Sequence, residues 1–242
     1  MSDKKNLRKL LNLNFMEVLN STESVGKYDL PYIAANILAY PDYIAMYSDL
    51  KEYNLTDRTC VAFYKYDSIF DGIHGLFNAI YYGVTELKNF YLERFKNVKY
   101  FIAPDYSLCG DINHIENLYR IFRARIVSIW LTLELKVTVI PNITYSDTKI
   151  FSNMLDGMED CKVVAFSTKG IMHDKQALDL LKQALKYTVD NLKNLKTIII
   201  YTTSIKDEYT YELFKYAADA GIKLIIPDNR LRNLHLTKKG GK

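Results

Sequence analysis

Six short apolar runs with helix-like segments between them constrain this sequence more than any other feature. They are VAFYKY (61–66), KYFIAP (99–104), KVTVIPNI (136–143), KVVAFS (162–167), KTIIIYTT (196–203) and IKLIIP (222–227). Val, Ile, Phe and Tyr dominate most of them, a composition that favours strands. Several are apolar at nearly every position instead of alternating. A strand of that kind is covered on both faces, which is the condition of a parallel sheet packed among helices.

The intervening segments have helical periodicity. Leu87, Phe90, Tyr91 and Phe95 share one helix face, with Thr85 placed to cap its start. Ile115, Leu118, Tyr119, Phe122, Ile126 and Ile129 form a second face, preceded by Asn113 and Glu116 at capping-box spacing. Leu178, Leu181, Leu185, Val189 and Leu192 form a third, and a last helix should stop at Gly221. Strand alternating with helix is the α/β signature. The expected architecture is a mostly parallel sheet of about six strands with helices on both faces. An incomplete or irregular βα barrel is the alternative; a full eight-unit barrel uses about 250 residues and eight strands, so an open sheet is favoured. The 242 residues read as a single domain. Residues 1–58, with two prolines in YDLPYIAANILAYPDYIAMYSDL, read as an irregular wrap, and 235–242 as a basic tail.

Composition excludes several classes. With 49% hydrophobic and 25% charged residues the chain is an ordinary globular one. The net charge of +4 is loaded at the ends, in Lys4, Lys5, Arg8 and Lys9 and in Lys238, Lys239 and Lys242, as in solvated tails. Cys60, Cys109 and Cys161 are odd in number and far apart, which fits free thiols in a reducing compartment. They and the four histidines lack metal-ligand spacing. No run is long enough for a membrane helix and no signal peptide is evident, so the cytoplasm is the expected location and a membrane is not an expected partner.

In parallel α/β sheets ligands bind beyond the carboxyl ends of the strands. The residues following each run are therefore the informative ones. Asp67, Asp105, Ser107, Asp147, Ser167, Thr168 and Lys169 should gather on one edge. Capping of helix N-termini is the plain explanation for each singly. A site is the sharper one: Asp105 and Asp147 as general acid and base, or with Asp67 as oxygen ligands of Mg²⁺. STKGIMHDK (167–175) leaves a strand through Gly170 and can bring N–H groups, a hydroxyl and Lys169 to a phosphate, although it is neither GxxxxGK[ST] nor GxGxxG. Arg123 and Arg125 flank an apolar helix face while Arg120 points away. Structural ion pairing is the default for these, and phosphate binding by Arg123 the alternative.

Several of these motifs occur together in a known family. APDYS (103–107), PNITYSD (141–147), VVAFSTKG (163–170), CVAFYKYD (60–67) and YDLPYI (28–33) resemble, in order and spacing, the bacterial and phage domain-of-unknown-function family numbered 4417. The resemblance spans roughly 28–201. Tyr145 stands where the family usually has tryptophan, and Asp67 stands alone where the family often has two adjacent acids. The resemblance implies a connection with phages, plasmids and other mobile elements, and supplies no reaction.

Two functions are therefore expected. One is binding, with or without processing, of a phosphate-bearing small molecule or nucleic acid at the carboxyl edge of the sheet. The other is non-catalytic binding of a host or phage protein, through tyrosines of IYYGV (80–84) and AYPDYIAMY (39–47).

Overall fold

The computed structural model describes residues 16–36 and 40–240. All six apolar runs contain strands. Short apolar segments bounded by turn residues adopt extended backbone because β-branched and aromatic side chains pack well on a pleated surface. We label the strands β1 Tyr43–Met46, β2 Thr59–Ala62, β3 Tyr100–Ile102, β4 Thr138–Ile140, β5 Val163–Ser167, β6 Thr197–Tyr201, β7 Lys223–Ile225 and β8 Asp228–Asn229. The principal helices are α1 Leu76–Tyr81, α2 Thr85–Phe95, α3 His114–Leu135, α4 Lys175–Asn191, α5 Asp207–Leu213, α6 Lys215–Asp219 and α7 Arg230–Gly240.

The fold is α/β, and its strands pair in parallel. One sheet runs β8-β1-β2-β3-β4 and the other β5-β6-β7, with helices around both. Asn142, just past β4, bridges in parallel to Ala165 of β5. At the other end only Ile226 and Pro227 separate β7 from β8. The segment 223–229 thus pairs with β6 through β7 and with β1 through β8, so the two sheets join at both ends, as in the irregular βα-barrel alternative. Closure needs strand β1, whose sequence YIAM lies in the segment expected to wrap irregularly. Four apolar residues between Asp42 and Tyr47 carry no period that distinguishes strand from helix. At the far end, the segment expected as a basic tail continues the helix α7 to Gly240. Lys4, Lys5, Arg8, Lys9 and Lys242 lie outside the described residues.

Alternation along the strands divides the interior in two. Ile44 and Met46 of β1 and Cys60, Ala62 and Tyr64 of β2 join one core. Tyr43, Ala45, Tyr47, Val61 and Phe63 join the other, which includes Phe77 of α1, Phe95 of α2 and Trp130 of α3. Burial of both faces is what the continuous apolar runs required. The cysteines are free, with Cys60 and Cys161 buried. No helix of the described residues is long and apolar enough to cross a membrane.

Two helix starts refine the expectations, and a third has a side-chain cap. Thr85 is the first residue of α2, and Val84 occupies the cap. Asn113 does cap α3, but through its backbone carbonyl, with no side-chain bond. Asp174 caps α4 with its carboxylate on the Ala177 N–H at 3.1 Å. In α3, Leu118, Ile126 and Ile129 are buried as expected, whereas Ile115 and Tyr119 are exposed.

One buried charge fastens the N-terminal segment. Arg125 of α3 is 3% exposed and donates to the carbonyls of Pro31 and Met154, each at 3.1 Å, and to that of Asp156. Gly157 follows with φ +77°, and a Cβ there would lie 3.0 Å from Arg125 Nη1 and 2.8 Å from Val25. The clamp therefore requires a residue without a side chain at 157.

Candidate functional site

Parallel strands point their carboxyl ends the same way, so the loops after them share one rim. At this rim Tyr64 and Lys65 follow β2, Asp105 and Ser107 follow β3, Asn142, Thr144 and Tyr145 follow β4, and Ser167 and Lys169 end and follow β5. Asp105, Ser107, Asn142, Thr144, Tyr145, Ser167, Lys169 and the apolar Ile171 line a depression of about 260 Å³.

Its polar groups are linked. The buried Tyr64 hydroxyl donates to Asn142 Oδ1 at 2.8 Å, and Asn142 Nδ2 donates to Asp105 Oδ1 at 2.7 Å. Thr144 Oγ1 reaches the same carboxylate oxygen at 3.4 Å. The Tyr64 ring is held by stacking on Tyr201, 4.9 Å between centroids. From the opposite side Lys169 Nζ donates to the Tyr64 backbone carbonyl. Ser167 Oγ accepts from the Lys169 N–H at 3.1 Å and shapes the turn.

The electrostatics follow from this packing. Burial disfavours the charged form of Asp105 and the nearby Asp67 carboxylate adds to the effect. Its carboxyl is therefore pushed up to about 6, although hydrogen bonds from Thr144 and Asn142 and the charge of Lys169 pull the other way. Burial lowers Lys169, and so does the like charge of Lys65, while Asp105 opposes them. Burial holds the Tyr64 phenol well above its ordinary value, with Asp105 contributing. A carboxyl that titrates near neutrality beside a reachable amine is suited to proton transfer.

Four of the residues singled out in the sequence meet here: Asp105, Ser107, Ser167 and Lys169. Asp67 sits behind them, accepting from Ser107 N at 3.2 Å and Oγ at 3.0 Å and from Arg120 Nη1 at 3.3 Å. The other three have structural partners. Asp147 caps a 3₁₀ turn by accepting from Lys149 N at 2.9 Å and Ile150 N at 3.3 Å, so its role is the capping one. Thr168 is fully buried and donates to Thr202 Oγ1 at 2.9 Å, tying β5 to β6. Arg123 pairs with Asp71 and lies 4.6 Å from the ring centres of both Phe77 and Tyr106, which is the structural role expected by default.

The Asp67, Asp105 and Asp147 set does not fit Mg²⁺. Asp147 is committed to a cap and Asp67 to Ser107 and Arg120. Among the described residues no three His, Cys, Asp or Glu side chains gather to hold a metal ion.

Residues 22–217 match the family described as domain of unknown function (DUF4417). The chain belongs to DUF4417. Comparison with curated proteins and with solved structures gives no match. Every rim residue above lies within the DUF4417 match, as do β1 to β6.

Sequence reasoning passed over Tyr64, Lys65 and Thr144 as site residues. Tyr64 is one aromatic in an apolar run, and nothing local distinguishes it from Phe63, which faces the helices. The available signal was parity. Counting from Cys60, every second residue points to the same side, and Tyr64 is the last of that set.

Proposed function

We propose that this DUF4417 protein binds a phosphate-bearing ligand, such as a nucleotide or a nucleic-acid strand, at the mouth of its barrel. The observation that carries the reading is Lys169 lining a depression with hydroxyl side chains and a carboxyl that titrates near neutrality, where the like charge of Lys65 also acts on the amine. Like charges repel, and an anion bound at the Lys169 amine relieves that repulsion. Ser167 supplies a hydroxyl donor in the same depression, the Ser107 and Thr144 hydroxyls being given to Asp67 and Asp105. Asp105 is the group that acid–base chemistry on the ligand would use. The reading extends to a cytoplasmic protein of a phage, plasmid or other mobile element, which rests on the motif resemblance.

Calorimetric titration with inorganic pyrophosphate and with ATP tests the proposal. Binding in the parent protein that weakens by about 1–3 kcal/mol in a Lys65→Ala, Lys169→Ala double variant is expected, as for charge-assisted hydrogen bonds. No heat in the parent, or unchanged affinity in the variant, removes the reading.

A second reading, docking of a host or phage protein, has its own support. Tyr66 and Ile73 are 83% and 85% exposed on the segment following β2, with Ile69 also exposed between them. This apolar patch differs from the tyrosines expected in that role, because Tyr43 and Tyr47 are buried. Tyr82 is exposed and Tyr81 and Tyr40 are half-buried.

A further inference from the structure

The amine at the mouth has a second capability beyond charge. We propose that Lys169 is a nucleophile that forms an imine with a carbonyl compound bearing an anionic group, with Asp105 as its acid–base partner. The inference rests on the proposed anion site and narrows its ligand to an anionic aldehyde or ketone.

Three features of the geometry lead to it. Lys169 lines the depression, and its Nζ turns onto the Tyr64 carbonyl. That bond uses one N–H and leaves the lone pair of a neutral amine free to point elsewhere. Asp105 lines the same depression, and its Oδ1 is held by Asn142 and Thr144. The like charge of Lys65 favours the neutral form of Lys169. Partial desolvation beside another cation is a recognised way to activate a lysine amine.

The chemistry balances without a co-reactant. The Lys169 lone pair forms a C–N bond to the carbonyl carbon, and the π pair moves to oxygen. Asp105 as the acid protonates that oxygen, and its carboxylate takes back a proton from nitrogen, giving the carbinolamine. Asp105 then protonates the hydroxyl, the C–O bond breaks, water leaves, and a protonated imine remains opposite the Asp105 carboxylate. A carboxyl titrating near 6 serves both directions at neutral pH.

Pyridoxal 5′-phosphate, an aldehyde that carries a phosphate, is a direct probe. The full-length protein is treated with a limiting amount at neutral pH, reduced with borohydride and mapped by peptide mass spectrometry. Lys169 should carry roughly an order of magnitude more label than any other lysine. Lys169→Arg should lose that label, and Asp105→Asn should slow labelling and flatten its dependence on pH between about 5 and 7. Label spread evenly over the lysines, or concentrated on Lys65, overturns the amine role. A parallel pyrophosphate titration of the untreated protein separates the two ideas. Heat without selective label removes the imine and keeps the anion site; neither heat nor label removes both.

Discussion

Arg125 and Asp105 are both charged side chains withdrawn from water, and the protein surrounds them in opposite ways. Arg125 meets three backbone carbonyls and fastens the N-terminal segment to the loop after β4. Its surroundings are complete, and burial lowers its pKa only to about 10, so it remains charged at every physiological pH. Asp105 accepts on one oxygen from Asn142 and Thr144 and has a carboxyl that titrates near neutrality. A fully satisfied buried charge holds structure together. One with capacity left over, at the open end of a barrel, is available for chemistry.

The sharpest way to break the comparison is Arg125→Met, which leaves three buried carbonyls without a donor. A loss of about 3–5 kcal/mol is expected in urea unfolding. A loss below 1 kcal/mol would show that the clamp is dispensable.

Asp105→Asn should act in the reverse direction. A carboxyl whose folded pKa is raised to about 6 binds its proton more tightly in the folded state than in the unfolded one. Its favourable contribution is fully present below about pH 4 and is lost as pH rises through about 6. The amide, which cannot ionise, should therefore stabilise the protein by about 3 kcal/mol at pH 8 and leave it nearly unchanged at pH 4. Equal stability of the two proteins at both pH values would remove the strained carboxylate from the argument.

A smaller effect sharpens the boundary of the site. Asp147→Ala should cost about 1 kcal/mol through loss of its cap on Lys149 and Ile150, and should leave pyrophosphate binding unaltered. Weakened binding would return Asp147 to the site. The smallest effect is expected at Tyr66 and Ile73. Replacing both with Ser should change stability by no more than about 0.5 kcal/mol each, because neither is packed. A larger loss would mean that the patch is covered by another copy of the chain.

The candidate site was partly legible beforehand. Asp105, Ser107, Ser167 and Lys169 followed from one rule, that parallel strands present their exits together. That rule says which loops meet, and not which way each side chain turns. Asp147 and Thr168 satisfy it as well, yet one bonds the N–H groups two and three residues ahead and the other bonds Thr202 on the neighbouring strand exit. Tyr64 was hidden for the converse reason. It reads as core, it is core, and only its hydroxyl reaches the polar chain.

What the sequence by itself determined is the parallel α/β class, because runs apolar at every position have no stable home except between two covered layers. Strand β1 and the closure of the ring belonged to the tertiary structure alone. YIAM is too short to declare itself, and whether strands curl back to meet depends on hydrogen bonds between residues as distant as Asp42 and Asp228. The presence of Lys169 and Asp105 in one depression was settled at the same level. A pKa depends on what surrounds a group in space, and chain order does not specify those surroundings.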